Sequence, residues 1–275
     1  MNSGNTAAER ATRGALLIEF CGLPGAGKSH LAGALLAGLR REGIPARAGD
    51  AAIAPNIAPV RRIPRKLLAA GSEVLSDPVG AARVGLAIAR AERDAVDIVS
   101  RSLQWFVTQR VLDRAAGRAG VHVFGEGVLQ GLWSIGLRGD PDALLELLEA
   151  GVAPWIRPRV LVVVNAPTDV ADARLGARRS SHSRTQALGA AERTAELRRG
   201  RELLECLVEW WRASSREGEI VEVDNGDDGP RDREVARLVN RILKHLGPAA
   251  QPEGSRSRPD EGATPRRERR SRSPR

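Results

Sequence analysis

The chain has 275 residues, 42% of them apolar, only 3% aromatic and none Tyr, with a formal charge of +9. That length and apolar share are enough for one substantial α/β domain with a real core. No apolar run approaches the roughly 18 residues of a membrane span, and two cysteines, Cys21 and Cys206, build neither a disulfide framework nor a metal cluster.

Residues 1–13 are polar with scattered Ala and are expected to be disordered. Ala15 to Cys21 is an apolar run interrupted only at Glu19, and it reads as a buried strand. Lys28 to Arg41 has helical spacing, with Leu31, Leu35, Leu36 and Leu39 on one side. Ile44 to Gly49 is a weak second strand ending at Asp50. Residues 51–64 hold Pro55, Pro59 and Pro64 and are not expected to form a regular helix. Helices are expected over 63–70, 80–96 and 98–119, then a strand at Val121–Phe124 and a helix over 140–150. Val160–Val164 is the clearest strand, apolar throughout as in a parallel sheet covered on both faces. Helices follow over 168–179 and 187–212, a last strand at Ile220–Val223, and a closing amphipathic helix at Arg231–Leu246.

Strands and helices alternate, which predicts a parallel sheet with helices on both faces. The domain is expected over 14–247, with a helical insert at about 63–119. The tail, 248–275, is rich in Pro, Ser and Arg and is expected to be disordered. It carries eight Arg against four acidic residues, which is +4 of the total charge and leaves +5 for the rest. That surplus suits an enzyme that binds a polyanion, and nucleic acid enters the reading only through the tail. The chain is expected to be soluble and cytoplasmic, since its start has no basic segment followed by an apolar stretch.

Gly22-Leu23-Pro24-Gly25-Ala26-Gly27-Lys28-Ser29 fits the pattern G-x-x-x-x-G-K-S, between a predicted strand and a predicted helix. Small residues let the backbone wrap an anion closely, and the helix start adds partial positive charge. Lys28 is expected on the β- and γ-phosphates of ATP, and Ser29 on Mg²⁺. His30 completes the expected binding segment.

Transfer from such a loop needs alignment, Mg²⁺ and positive charge more than covalent help. Its other residues should lie at strand ends near the loop. Glu126, between Gly125 and Gly127, follows the strand at Val121–Phe124 and is expected to hold a Mg²⁺-bound water or orient an acceptor. Asp50 ends the second strand and is expected to take or bind an acceptor hydroxyl proton. Among Arg174, Arg178, Arg179 and Arg184, the expected phosphate-facing pair is Arg178 and Arg184. Gln104 with Trp105, and Gln130 with Trp133, are candidates to line an acceptor pocket. His30, His122, His182 and His245 lack ligand spacing, so no structural zinc site is expected.

The loop at 22–29, the pair Glu126-Gly127, and Val160–Pro167 leading into the arginines of 174–184 together resemble the nucleoside- and nucleotide-kinase group of P-loop proteins, which includes thymidylate and adenylate kinases. The resemblance implies a three-layer α/β/α fold with a five-stranded parallel sheet ordered 2-3-1-4-5. It implies an ATP site at Gly22–Ser29 and a lid at about 174–190. The group often has an Arg directly after its middle-strand acid, whereas Gly127 stands here and no Arg comes before Arg138. The acceptor therefore stays open among nucleotides, nucleosides and other small hydroxyl or phosphate compounds. The leading expectation is an ATP-dependent phosphotransferase that acts on a small molecule, with a homodimer considered. The alternative is a P-loop ATPase or regulatory NTP-binding protein. A GTPase would need an Asn-Lys-x-Asp segment, and the sequence has none.

Overall fold

The structure is a computed structural model and describes residues 14–49, 59–92, 94–137, 139–140, 144, 148, 160–178, 184–214, 218–226 and 231–246. At its centre lies β1 (Ala15–Gly22), buried along almost its whole length. Its parallel neighbours are β3 (Gly120–Phe124) and β4 (Val160–Asn165), so that Ile18 lies opposite Val123 on one side and Val160 on the other. β2 (Ala46–Ala48) lies outside β3, and β5 (Glu219–Asp224) outside β4. The sheet order is β2-β3-β1-β4-β5, the order that the resemblance implies. All strands run parallel, so their carboxyl ends share one edge, where ligands bind in such sheets.

Burial on both faces explains the sequence of β4. Its residues Val160 to Val164 are all buried, and a strand in that setting has no use for alternation. One helical layer holds α1 (Lys28–Arg41) and, packed against it, the closing helix α8 (Arg231–Leu246). Each buries one stripe, Leu31, Leu35 and Leu39 in the first, and Val235, Leu238, Val239 and Ile242 in the second. The other layer holds α4 (Ala95–Ala116), α5 (Val128–Gly136) and α7 (Ala190–Ser214). Before α4 come α2 (Pro59–Ser76) and α3 (Pro78–Ala91), and after β4 comes α6 (Thr168–Gly176).

Several expectations need correcting. Residues from Pro59 onward are helical, with Pro64 inside α2. Pro59 is the first helical residue, where its missing N–H costs nothing. Pro64 lies only five residues further in, so it removes one hydrogen bond near the start, and packing of α2 on α4 offsets the loss. The helix expected over 80–96 ends instead at Ala91. Asp94 then caps α4 by accepting from the amide of Val96 at 2.7 Å. A further helix, α5, was not anticipated at all. Asp50 lies outside the described residues, as do 1–13, the tail at 248–275 and most of the helix expected over 140–150.

Candidate active site

The loop between β1 and α1 has a backbone that only glycine tolerates at two points. Gly25 and Gly27 have φ of +87° and +95°. A Cβ on Gly25 would lie 2.3 Å from the carbonyl oxygen of Ala171, and one on Gly27 would lie 2.3 Å from Nδ2 of Asn225. The neighbours are therefore built against the bare backbone. Asn225 Nδ2 donates to the carbonyl of Ala26 at 2.6 Å, and the Asn225 amide donates to the carbonyl of Asn165 at 2.7 Å. Arg174 Nη1 in turn donates to the carbonyl of Asn225 at 2.8 Å. The phosphate loop is thus held from the ends of β4 and β5, and Arg174 serves that scaffold.

Lys28 is buried at the base of the loop. Its Nζ donates to the carbonyls of Gly22 at 2.8 Å and Leu23 at 3.1 Å. Burial lowers its pKa from 10.5 to about 8; Arg178 pushes the same way, and Glu126 opposes both. Ser29 and His30 are exposed at the start of α1.

A cavity of about 360 Å³ opens beside the loop. Pro24, Gly25, Gly27, Lys28 and Ser29 form one wall, and Glu126 follows β3 at its rim. The opposite wall comes from α4 through Arg101, Gln104, Trp105 and Thr108, and from α5 through Gln130, Trp133 and Ser134. Arg178, just after α6, completes the lining together with Thr185 and Glu196. The structure thereby brings Lys28, Ser29, Glu126 and Arg178 to one space with both expected Gln and Trp pairs. It does not bring His30 into the lining, and the side chains of Leu23 and Ala26 turn into the core. Arg184 opens the short 3₁₀ turn Arg184–Ala187, its side chain falling outside the described atoms.

The far wall is ordered by its own contacts. Lys66 Nζ donates to Gln104 Oε1 at 3.0 Å, and Arg101 donates to Ser134 and lies 3.5 Å from Glu92. Trp133 Nε1 donates to the carbonyl of Gly200 at 2.6 Å, which ties α5 to α7. A larger cavity of about 720 Å³ lies along the ends of β4 and β5 under α7, and among its lining Leu23 alone comes from the loop. Volume alone does not make it the site, because the loop amides, Lys28 and Glu126 all meet at the smaller one.

Four residues of this arrangement carry no sequence motif. Glu19 was seen only as an interruption of β1, Asn225 was not singled out, and Thr185 and Glu196 arrive from the chain after the arginines. Only Glu19 carried a signal, a lone acid in a strand buried on both faces.

The donors at the cavity fit Mg·ATP. The glycine cradle leaves space where a Cβ would clash, and Ser29 and Glu126 offer a hydroxyl and a carboxylate at its rim. Mg²⁺ bound with phosphates takes few protein ligands. Among the described residues no group of three or more His, Cys, Asp or Glu is placed to hold a metal ion.

A complete G-x-x-x-x-G-K-S loop at the carboxyl edge of a 2-3-1-4-5 parallel sheet defines the class: this is a P-loop fold. Among solved structures, the chain is similar to deoxyadenosine kinase from M. mycoides with bound dATP, at 12% identity and a TM-score of 0.47, over 82% of this chain and 99% of that one. The same enzyme with bound dCTP matches at 14% identity and a TM-score of 0.42, over 82% and 98% of the two chains. No protein-family model and no curated protein matches the chain.

Proposed function

We propose that the chain is an ATP-dependent phosphotransferase, moving the γ-phosphoryl group to a small acceptor held between α4 and α5. The observation that carries this reading is the cavity itself. A hydrolase needs only the loop and a water molecule. Here the loop faces a walled space lined by Gln104, Trp105, Thr108, Gln130 and Trp133. Those groups offer flat apolar faces and amide hydrogen bonds, as a small polar ligand requires.

Lys28 neutralises charge on the transferring group, and Arg178 adds a second cation at the same space. Glu126 orients the acceptor or accepts its hydroxyl proton across the rim. Bound Mg²⁺ would add charge neutralisation between the phosphates, with Ser29 as its protein hydroxyl. Arg184, His30 and Asp50 remain proposed participants, Asp50 on the acceptor side. A nucleoside or nucleotide is one acceptor class, and other small alcohols or phosphates are the rest.

The test is a screen of ATP consumption across nucleosides, nucleotides, sugars and antibiotic-like alcohols, with product mass measured. One compound that gains a single phosphoryl group supports the reading. ADP formation at one rate regardless of acceptor would favour a hydrolase instead.

A further inference from the structure

Glu19 lies in the middle of β1 with its side chain fully buried. Its Oε1 accepts from the amides of Leu129 at 2.7 Å and Gln130 at 3.3 Å, so it caps the start of α5 from below the sheet edge. Gly127, the cap residue of α5, offers no side chain to do so. The fit is close: a Cβ on Gly127 would lie 2.3 Å from the Glu19 carboxyl carbon. Gln130 then continues the contact upward, because its Oε1 accepts from the amide of Gly22 at 3.3 Å. Gly22 is the first residue of the phosphate loop, and Gly127 directly follows Glu126.

We infer that Glu19 is a positioning residue that couples the two halves of the site, fixing the turn that carries Glu126 and, through Gln130, the first amide of the phosphate loop. A single carboxylate on the central strand sets the register between donor loop and acceptor-side acid. A neutral capping residue on the surface would fix α5 alone. Burial raises the Glu19 carboxyl to about 7, while the amides at the start of α5 pull it down. Its Oε2 has no hydrogen-bond partner. Retaining so costly a group in a core strand fits a role that an apolar residue cannot fill.

The inference rests on the phosphotransferase reading only for its kinetic readout, so exchange is measured first. Amide hydrogen exchange of the full chain without nucleotide is compared for the unaltered protein, Glu19→Ala, Glu19→Gln and Gln130→Ala. In Glu19→Ala, exchange at both 22–25 and 128–131 is expected to speed up roughly tenfold, the worth of one buried hydrogen bond. The amides of β4 stay as they were. Gln130→Ala speeds exchange at 22–25 alone, and Glu19→Gln recovers most of the protection. With ATP, Gln130→Ala raises the KM for Mg·ATP roughly tenfold with a smaller change in kcat. Unchanged exchange at 22–25 in both Ala variants would overturn the coupling. So would a loosening of β4 as large as that of the loop, which would make Glu19 a plain core residue. A protein that shows the exchange pattern but no nucleotide binding would remove the phosphotransferase reading and leave the coupling standing.

Discussion

Two buried ionisable side chains, Lys28 and Glu19, flank the phosphate loop, and the fold strains against both. Lys28 titrates at about 8 in the folded chain against 10.5 when exposed. Between those values the unfolded chain holds the proton more tightly, so stability present above pH 10.5 is lost as pH falls through 8. The cost is complete at neutral pH and is on the order of 3 kcal/mol. Lys28→Met removes it along with two hydrogen bonds. It should cut kcat/KM at least roughly 10²–10³-fold while the melting temperature holds or rises. A fall in melting temperature as steep as the fall in activity would mean that Lys28 is structural. Glu19 runs the other way: its folded value of about 7 lies above 4.5, so stability present below pH 4.5 is lost as pH rises through 7. Melting temperature against pH should decline over that window in the unaltered protein and flatten in Glu19→Gln. Glu126 is exposed, so Glu126→Gln should lower kcat while the melting temperature stays within a degree or two, roughly the scale of a surface substitution.

At the scale of elements, the ties between loops matter more than the helices that carry them. Asn225 joins the end of β5 to the phosphate loop at Ala26 and is itself held by Arg174. Asn225→Ala leaves a buried carbonyl without its donor, which costs about 1–3 kcal/mol in denaturant unfolding. It should also raise the Kd for Mg·ATP, because the loop then samples other conformations. An unchanged Kd with the full stability loss would show that the tie is merely structural. Such ties explain what the sequence could and could not disclose. The loop was legible because its spacing of glycines, Lys and Ser between a strand and a helix matches a known pattern, and Gly25 and Gly27 take the positive φ that the turn requires. β4 was legible because double-sided burial leaves an unbroken apolar run. The helix α5 was not, since it has only nine residues and its cap is supplied by Glu19, more than a hundred positions away. Pro64 misled because local propensity was overruled by packing against α4. The contacts of Glu19, Gln130 and Asn225 all join distant segments, and no spacing rule encodes them.

For the whole molecule, the order β2-β3-β1-β4-β5 puts β1 between β3, whose following turn supplies Glu126, and β4, which leads through α6 to Arg178. The site is therefore assembled across the sheet's carboxyl edge, and segments remote from that edge should be dispensable for chemistry. Among the described residues no helix is long and apolar enough to cross a membrane. The Arg-rich segment 248–275 carries +4 of the charge and lies outside the described residues. Removing it should leave kcat and the KM for ATP within about twofold while weakening any salt-sensitive binding to nucleic acid. A large loss of turnover would bring the tail into the site.

The central claim is that the amides and ammonium of Gly22–Ser29 grip a chain of phosphates. Calorimetric titration of the folded protein with Mg·ATP, beside Lys28→Met, tests it most directly. Saturable heat at one site per chain, lost or strongly weakened in the variant, is the predicted result. No heat with either Mg·ATP or Mg·GTP, or equal binding by the variant, would contradict it.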